Sequence, residues 1–256
     1  MPSQVAVTNR RRALIEASAI PRFKSEIRRY GRECELGYIE SGSFGVEGAA
    51  KRHQNRVSDL LDSLYSISVS AGVSLAYQGA KSYRPSIETK QTDEDAVIQQ
   101  ILATFESYAF EQSVLIAETS LKEATSVVAK GLEEGLGPRQ IASNLRKVQE
   151  NLAPYRAEMI ARTETGTALN SAQFQAVEDM DLPGEPVKMW NAANDKRTRK
   201  THAAVEAQSM RNGGIPMDER FQVGRARLLH PNERGGRAEE VINCRCVLTF
   251  DIKEPV

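Results

Sequence analysis

The sequence predicts an α+β protein, a long-helix N-terminal region followed by a small mixed α+β C-terminal domain. Three observations predict it. Up to about residue 180, apolar residues return at three- and four-residue steps, the period of an amphipathic helix. Beyond residue 186 the pattern changes to short alternating runs separated by Gly, Pro and Asn, the signature of strands and turns. The rare residue types also crowd into the last quarter: Trp190 is the only Trp, two of the three Cys are Cys244 and Cys246, and two of the three His are His202 and His230.

Taken in order, residues 1–9 carry no periodicity and read as a loose arm. From Arg10 to Glu40, Leu14, Ile15, Ala19, Phe23, Ile27 and Tyr30 form a helical stripe. Pro21 should divide it, because proline lacks the N–H and clashes with the preceding turn. The glycines of residues 41–48 read as a linker. A second helix over residues 49–77 follows on Val57, Leu60, Leu61, Leu64 and Ile67, weakened late by Ser66, Ser68, Ser70 and Ser74, and Arg84-Pro85 marks a break. Thr92, with Asp93, Glu94 and Asp95, opens a third helix, capping free N–H groups at the positive end of the helix dipole. Its pattern persists to Leu132, long enough to suggest one elongated helix or a pair broken near Thr119-Ser120. Gly135 and Pro138 form a stop and restart. Further helices are expected over residues 138–152 and, opening on Pro154, to about Met180. Strands are expected at residues 187–190, 221–223 and 245–250. Residues 1–153 thus read as a helical region for assembly or partner contacts and residues 154–256 as the compact domain, the last helix packing against the C-terminal unit.

Lys and Arg number 34 and Asp and Glu 34, a formal net charge of zero. No global field therefore draws the chain to nucleic acid or membrane, and a DNA role needs a local patch. Three cysteines, two of them one residue apart, make a poor disulfide framework and point to a reducing compartment during synthesis. No apolar run approaches the roughly 20 residues that span a bilayer. The basic N-terminus lacks the apolar core of a signal peptide.

The last quarter holds the candidate chemistry. Asp195 suits an N-cap, and a helix starting at Lys196 would set Asp195, Arg199, His202 and Glu206 on one face. Such a face suits phosphate binding, acid–base chemistry or a structural ion-pair network. His202, His230, Cys244 and Cys246 make up a Cys₂His₂ set of the kind zinc accepts. Against it stands the single residue between the cysteines, which aims both sulfurs one way only on a regular strand. No cofactor is expected, and zinc is the alternative. The bland reading is two buried, unreactive thiols.

Three blocks then carry a family resemblance: Ala161-Arg162-Thr163-Glu164-Thr165 with Asn170, then Trp190 followed by Asp195-Lys196-Arg197-Thr198-Arg199 and His202, and finally Glu239 through Cys246, ending Asn243-Cys244-Arg245-Cys246. In this order they resemble the phage head morphogenesis family, the minor head proteins similar to the F protein of phage Mu, over roughly residues 155–250. One departure is Ala207-Gln208-Ser209-Met210, where relatives often carry a glycine. The resemblance implies a minor capsid protein of a tailed phage, bound near the portal, with roles in head assembly and in DNA packaging or ejection. It implies as partners the portal protein, the major capsid or scaffolding protein and phage DNA, with no membrane. It implies residence in the virion, at the capsid interior or portal vertex, after a period in the host cytoplasm during assembly. It implies no settled enzyme activity. The C-terminal unit is joined to toxin domains in some relatives, and none is expected beyond Val256.

Beside the resemblance, Arg162, Glu164, Asp195, Arg197, Arg199, His202, Asn243 and Arg245 read as a polar framework whose members satisfy one another, with no catalytic residue among them. Two other readings compete: a nuclease or phosphodiesterase centred on His202, and a DNA-binding protein that accompanies the genome.

Overall fold

The computed structural model describes residues 3–83, 91–182 and 184–253. Four long helices come first: α1 (Gln4–Ser41), α2 (Ser43–Tyr83), α3 (Gln91–Glu133) and α4 (Pro138–Glu178). The C-terminal part follows as β1 (Glu185–Asn191), α5 (Lys200–Arg211), β2 (Ile215–Pro216), β3 (Phe221–Val223), β4 (Ala226–Leu228), α6 (Ala238–Val241) and β5 (Val247–Lys253). This is the predicted α+β class.

The helices run longer than the sequence pattern alone predicts. The expected arm is helical from Gln4, and α1 continues through Pro21. Likewise α4 is continuous through Pro154, where two helices were expected. A proline costs a helix one hydrogen bond and some strain, and burial of the flanking turns offsets it. Ala19 and Phe23 are buried around Pro21, and Ala153 and Ala157 around Pro154. The serines of α2 do not end it either. Val57, Leu61, Leu64, Tyr65, Val69, Val73, Ala76 and Ala80 form one buried stripe past them, and Ser70 bonds back to Ser66 O at 2.9 Å. The third helix is single, with no break at Thr119-Ser120. The expected linker at residues 41–48 shrinks to Gly42, which takes φ 59° between α1 and α2. The reading of Arg84-Pro85 as a break lies outside the described residues; Thr92, read as a cap, falls inside α3, which begins at Gln91.

By contacts the chain forms two compact units. One takes residues 1–16, 64–104 and 162–256, and the other residues 17–63 and 105–161. The second is helical, with Tyr30, Cys34, Val46, Ala49, Ala50, Ala124, Val128, Ile141 and Leu145 packed in one core. It also buries a polar group that sequence periodicity does not reveal. His53, fully enclosed, places Nδ1 2.8 Å from Glu26 Oε1, while Arg56 Nε donates to the other oxygen of Glu26 at 2.8 Å. The His53 ring stacks on Tyr30, centroids 4.6 Å apart. Burial drives the Tyr30 hydroxyl far above its ordinary pKa and raises the Cys34 thiol to about 11.

The first unit contains both sheets. The larger has strand order β2-β1-β5, antiparallel throughout. β1 pairs with β5 along its whole length, from Glu185 opposite Lys253 to Asn191 opposite Val247. β3 and β4 form a hairpin, Phe221 opposite Leu228. Phe174 of α4, Trp190 and Ala192, Val205 of α5, both hairpin strands, Cys244, Cys246 and Leu248 make its core. Among the described residues no helix is long and apolar enough to cross a membrane.

Candidate functional site

The site is built where α4, α5 and the turn before β5 meet. The chain leaves β1 at Asn191 and makes a tight turn in which Arg197 N donates to Asp195 Oδ1 at 2.8 Å and Asp195 N donates to Thr198 Oγ1 at 3.0 Å. Helix α5 therefore starts at Lys200, with Arg199 as its N-cap. The expected helix from Lys196 with Asp195 as its cap does not form, because the Asp195 side chain is spent on the turn. Asp195 instead grips Arg245, each of its oxygens receiving a guanidinium N–H. Those hydrogen bonds, first among them Arg245, hold the Asp195 carboxyl far below the usual carboxylate range.

The Asn243–Cys246 block also differs from the expected strand. α6 ends at Val241, Asn243 takes φ 59°, and β5 begins only at Val247. Cys244 and Cys246 thus lie in the irregular segment between the turn at Asn243 and β5, with Cys246 N facing Cys244 Sγ at 3.4 Å. That segment, rather than strand alternation, aims both sulfurs at one point. There His202 Nδ1 lies 3.1 Å from Cys246 Sγ and 3.6 Å from Cys244 Sγ. On its far side His202 Nε2 meets Glu240 Oε2 at 3.0 Å, and Thr201 Oγ1 donates to the same oxygen at 2.9 Å. The Trp190 indole stands edge-on to the imidazole, centroids 5.3 Å apart. His202, Cys244 and Cys246 are 1–2% exposed.

Burial pushes the Cys244 thiol up. Hydrogen bonds from Cys246 and His202 and the charges of His202 and Arg12 outweigh it and hold this thiol well below its ordinary range. Cys246 moves the opposite way, raised by its hydrogen bond to Cys244 and then by burial. His230 stays apart: its Nδ1 faces Pro231 O at 3.0 Å, its ring packs on Phe174, and burial lowers its pKa to about 4.

The other polar blocks pair off locally. Arg162 Nη1 donates to Asn243 Oδ1 at 2.6 Å, and Asn243 N donates to Thr163 Oγ1 at 2.8 Å. Arg199 Nη2 donates to Ile242 O at 2.7 Å. Asn170 receives Leu248 N at 3.0 Å and donates to Cys246 O at 3.3 Å. Arg197 is mostly exposed, 4.0 Å from Asp195 Oδ2. Glu164 does not join Arg162 but accepts from Tyr65 Oη of α2 at 2.6 Å.

Sequence reasoning did not single out the residue that ties this block together. Arg12 of α1 is 3% exposed. It donates to Cys246 O at 2.8 Å, Cys244 O at 2.6 Å and Arg162 O at 2.9 Å, while its Nε holds Glu16 at 2.8 Å. The signal for it is Gly166, a small residue inside a helical pattern. A Cβ there would lie 2.5 Å from Asn232 Oδ1 and 2.6 Å from Arg12 Nη2. Gly to Ala inside a helix ordinarily stabilises by about 1 kcal/mol. Here Gly166→Ala should instead destabilise by roughly 1–3 kcal/mol, the cost of overpacking, read as a lower thermal midpoint.

Four long helices, a short antiparallel sheet and a buried His–Cys–Cys cluster braced by arginines on backbone carbonyls define the class: an α+β protein whose signature residues serve one another. The chain belongs to the Phage Mu protein F like family, whose model matches residues 122–249, half of the sequence. It is 33% identical over 130 residues to the minor head protein GP7 of Bacillus phage SPP1, covering 49% of this chain and 39% of that protein. It is 30% identical over 127 residues to the NAD(+)–arginine ADP-ribosyltransferase EFV of Enterococcus faecalis, covering 49% of this chain and 24% of that protein. The matches thus span well under two thirds of either relative. No solved structure matches the chain.

Proposed function

We propose that this chain is a minor head protein of a tailed phage that acts in head assembly, is built into the virion, and works by contact rather than catalysis. The observation that carries the reading is the identity to a minor head protein within a family match that takes in His202, Cys244 and Cys246. Its proposed partners are the portal protein and the major capsid or scaffolding protein, with phage DNA reached during packaging or ejection. The long helices, residues 1–153 above all, are proposed as the contact region, and residues 154–256 as the braced domain. The zero net charge argues against a purely electrostatic association with DNA.

The geometry favours this reading over a nuclease centred on His202. Both ring nitrogens are engaged and the residue is 2% exposed, whereas a general base must come within hydrogen-bond reach of its substrate. The test is a phage carrying a deletion of this gene. Defective or missing heads are expected, along with the protein itself in purified wild-type particles. Infectious particles of normal composition made without it would overturn the proposal. ADP-ribosylation of an arginine-containing acceptor by the purified chain would overturn its non-catalytic part.

A further inference from the structure

We propose that this protein binds one Zn²⁺ ion through His202 Nδ1, Cys244 Sγ and Cys246 Sγ. The three atoms lie within 4.8 Å of one another. A tetrahedral zinc with Zn–N bonds of about 2.0 Å and Zn–S bonds of about 2.3 Å sets its N···S edges near roughly 3.5 Å and its S···S edge near roughly 3.8 Å. The two N···S separations are 3.1 and 3.6 Å, so an ion enters with movements of a few tenths of an ångström, on the order of ordinary side-chain adjustment.

The surroundings are those of a ligand set. Glu240 Oε2 meets His202 Nε2, so with the ion bound it would hold the ring proton on that nitrogen and leave the Nδ1 lone pair for the metal. A carboxylate behind a ligating histidine is the usual means of fixing its tautomer. Thr201 in turn holds the carboxylate. Trp190 is fully buried, and its indole N–H faces the sulfur of Cys246, a contact that a metal-bound thiolate would strengthen. Arg12 pins the carbonyls of both cysteines, so the two-sulfur segment is set before any ion arrives.

Charge and softness select the ion. Two thiolates and a neutral imidazole cancel the charge of Zn²⁺, which suits a site this deeply buried. Thiolate and imidazole donors favour zinc over magnesium or calcium. Both sulfurs bind as thiolates, so binding releases to solvent the thiol protons that remain. Three protein ligands leave the fourth tetrahedral position to water or another small ligand.

The test uses the full chain, purified with a thiol reductant and without chelator. Elemental analysis is expected to find one zinc per chain, and titration of the metal-free protein with Co²⁺ to give a thiolate-to-cobalt charge-transfer band. Cys244→Ser and Cys246→Ser should each weaken binding at least 100-fold, and Cys34→Ser should leave it unchanged. Glu240→Gln should weaken it about 10- to 100-fold while keeping the band. Wild-type protein that gives no band and holds no zinc would overturn the proposal, whatever becomes of the variants. So would zinc retained by the Cys244→Ser/Cys246→Ser double variant, which would mark an adventitious ion.

Discussion

Arg12→Ala should cost about 3–5 kcal/mol of unfolding free energy, the range for removing one partner from a buried charged network. The guanidinium meets Cys246 O, Cys244 O and Arg162 O and holds Glu16. Without it, the side-chain donors to the cysteine carbonyls among the described residues are Asn170 at 3.3 Å from Cys246 O and Asn232 at 3.5 Å from Cys244 O. Among the described residues Glu16 keeps Arg162, at 3.7 Å. Leaving a buried acceptor unsatisfied costs about 1–3 kcal/mol, which is why the loss exceeds that of an ordinary ion pair. Arg12→Lys should recover only part of it, because one ammonium lacks the planar fork that reaches several carbonyls at once. Arg11→Ala, one residue away and exposed, should stay within about 0.5 kcal/mol of wild type. Urea unfolding of the three variants checks the order. An Arg12→Ala protein as stable as Arg11→Ala would show that the arginine is not the brace.

The position of Arg12 explains what the sequence could and could not reveal. Helical periodicity is a local property, so the helices and the change to strands after residue 186 were legible. Their continuity was not, since Pro21 and Pro154 are local penalties that burial of Ala19, Phe23, Ala153 and Ala157 offsets at a distance. The cluster of rare residues was legible because His202, Cys244 and Cys246 are scarce types gathered in the last quarter of the chain. Their partners were not. Arg12 is 150 residues from Arg162 and is one of many basic residues in α1, and Tyr65 lies 99 residues from Glu164. Nothing in spacing separates a buried arginine from a solvated one. Asp195 illustrates a subtler loss. Its residue type predicted a cap, but turn and helix compete for the same carboxylate, and Thr198 and Arg245 settle it for the turn.

Glu164 should make stability fall as pH rises. Burial raises its pKa to about 7, against a lowering by the Tyr65 hydroxyl and then by Arg234. In the unfolded chain the carboxyl titrates near its ordinary value of 4.5. Below that value it is protonated in both states and contributes nothing to the pH dependence. Between about 4.5 and 7 the unfolded state has given up the proton and the folded state retains it, so the unfolded state gains and stability declines. Above about 7 both are ionised and the loss levels off at roughly 3 kcal/mol, taking about 1.4 kcal/mol per pKa unit. Glu164→Gln keeps an oxygen for Tyr65 and removes the titration. The difference in unfolding free energy between variant and wild type should therefore grow by roughly 3 kcal/mol in favour of the variant from pH 4.5 to pH 8. The two proteins share every other titrating group, so the difference isolates this carboxyl. A difference that stays flat over that range would place Glu164 in contact with water, or with a cation strong enough to keep it ionised in the fold.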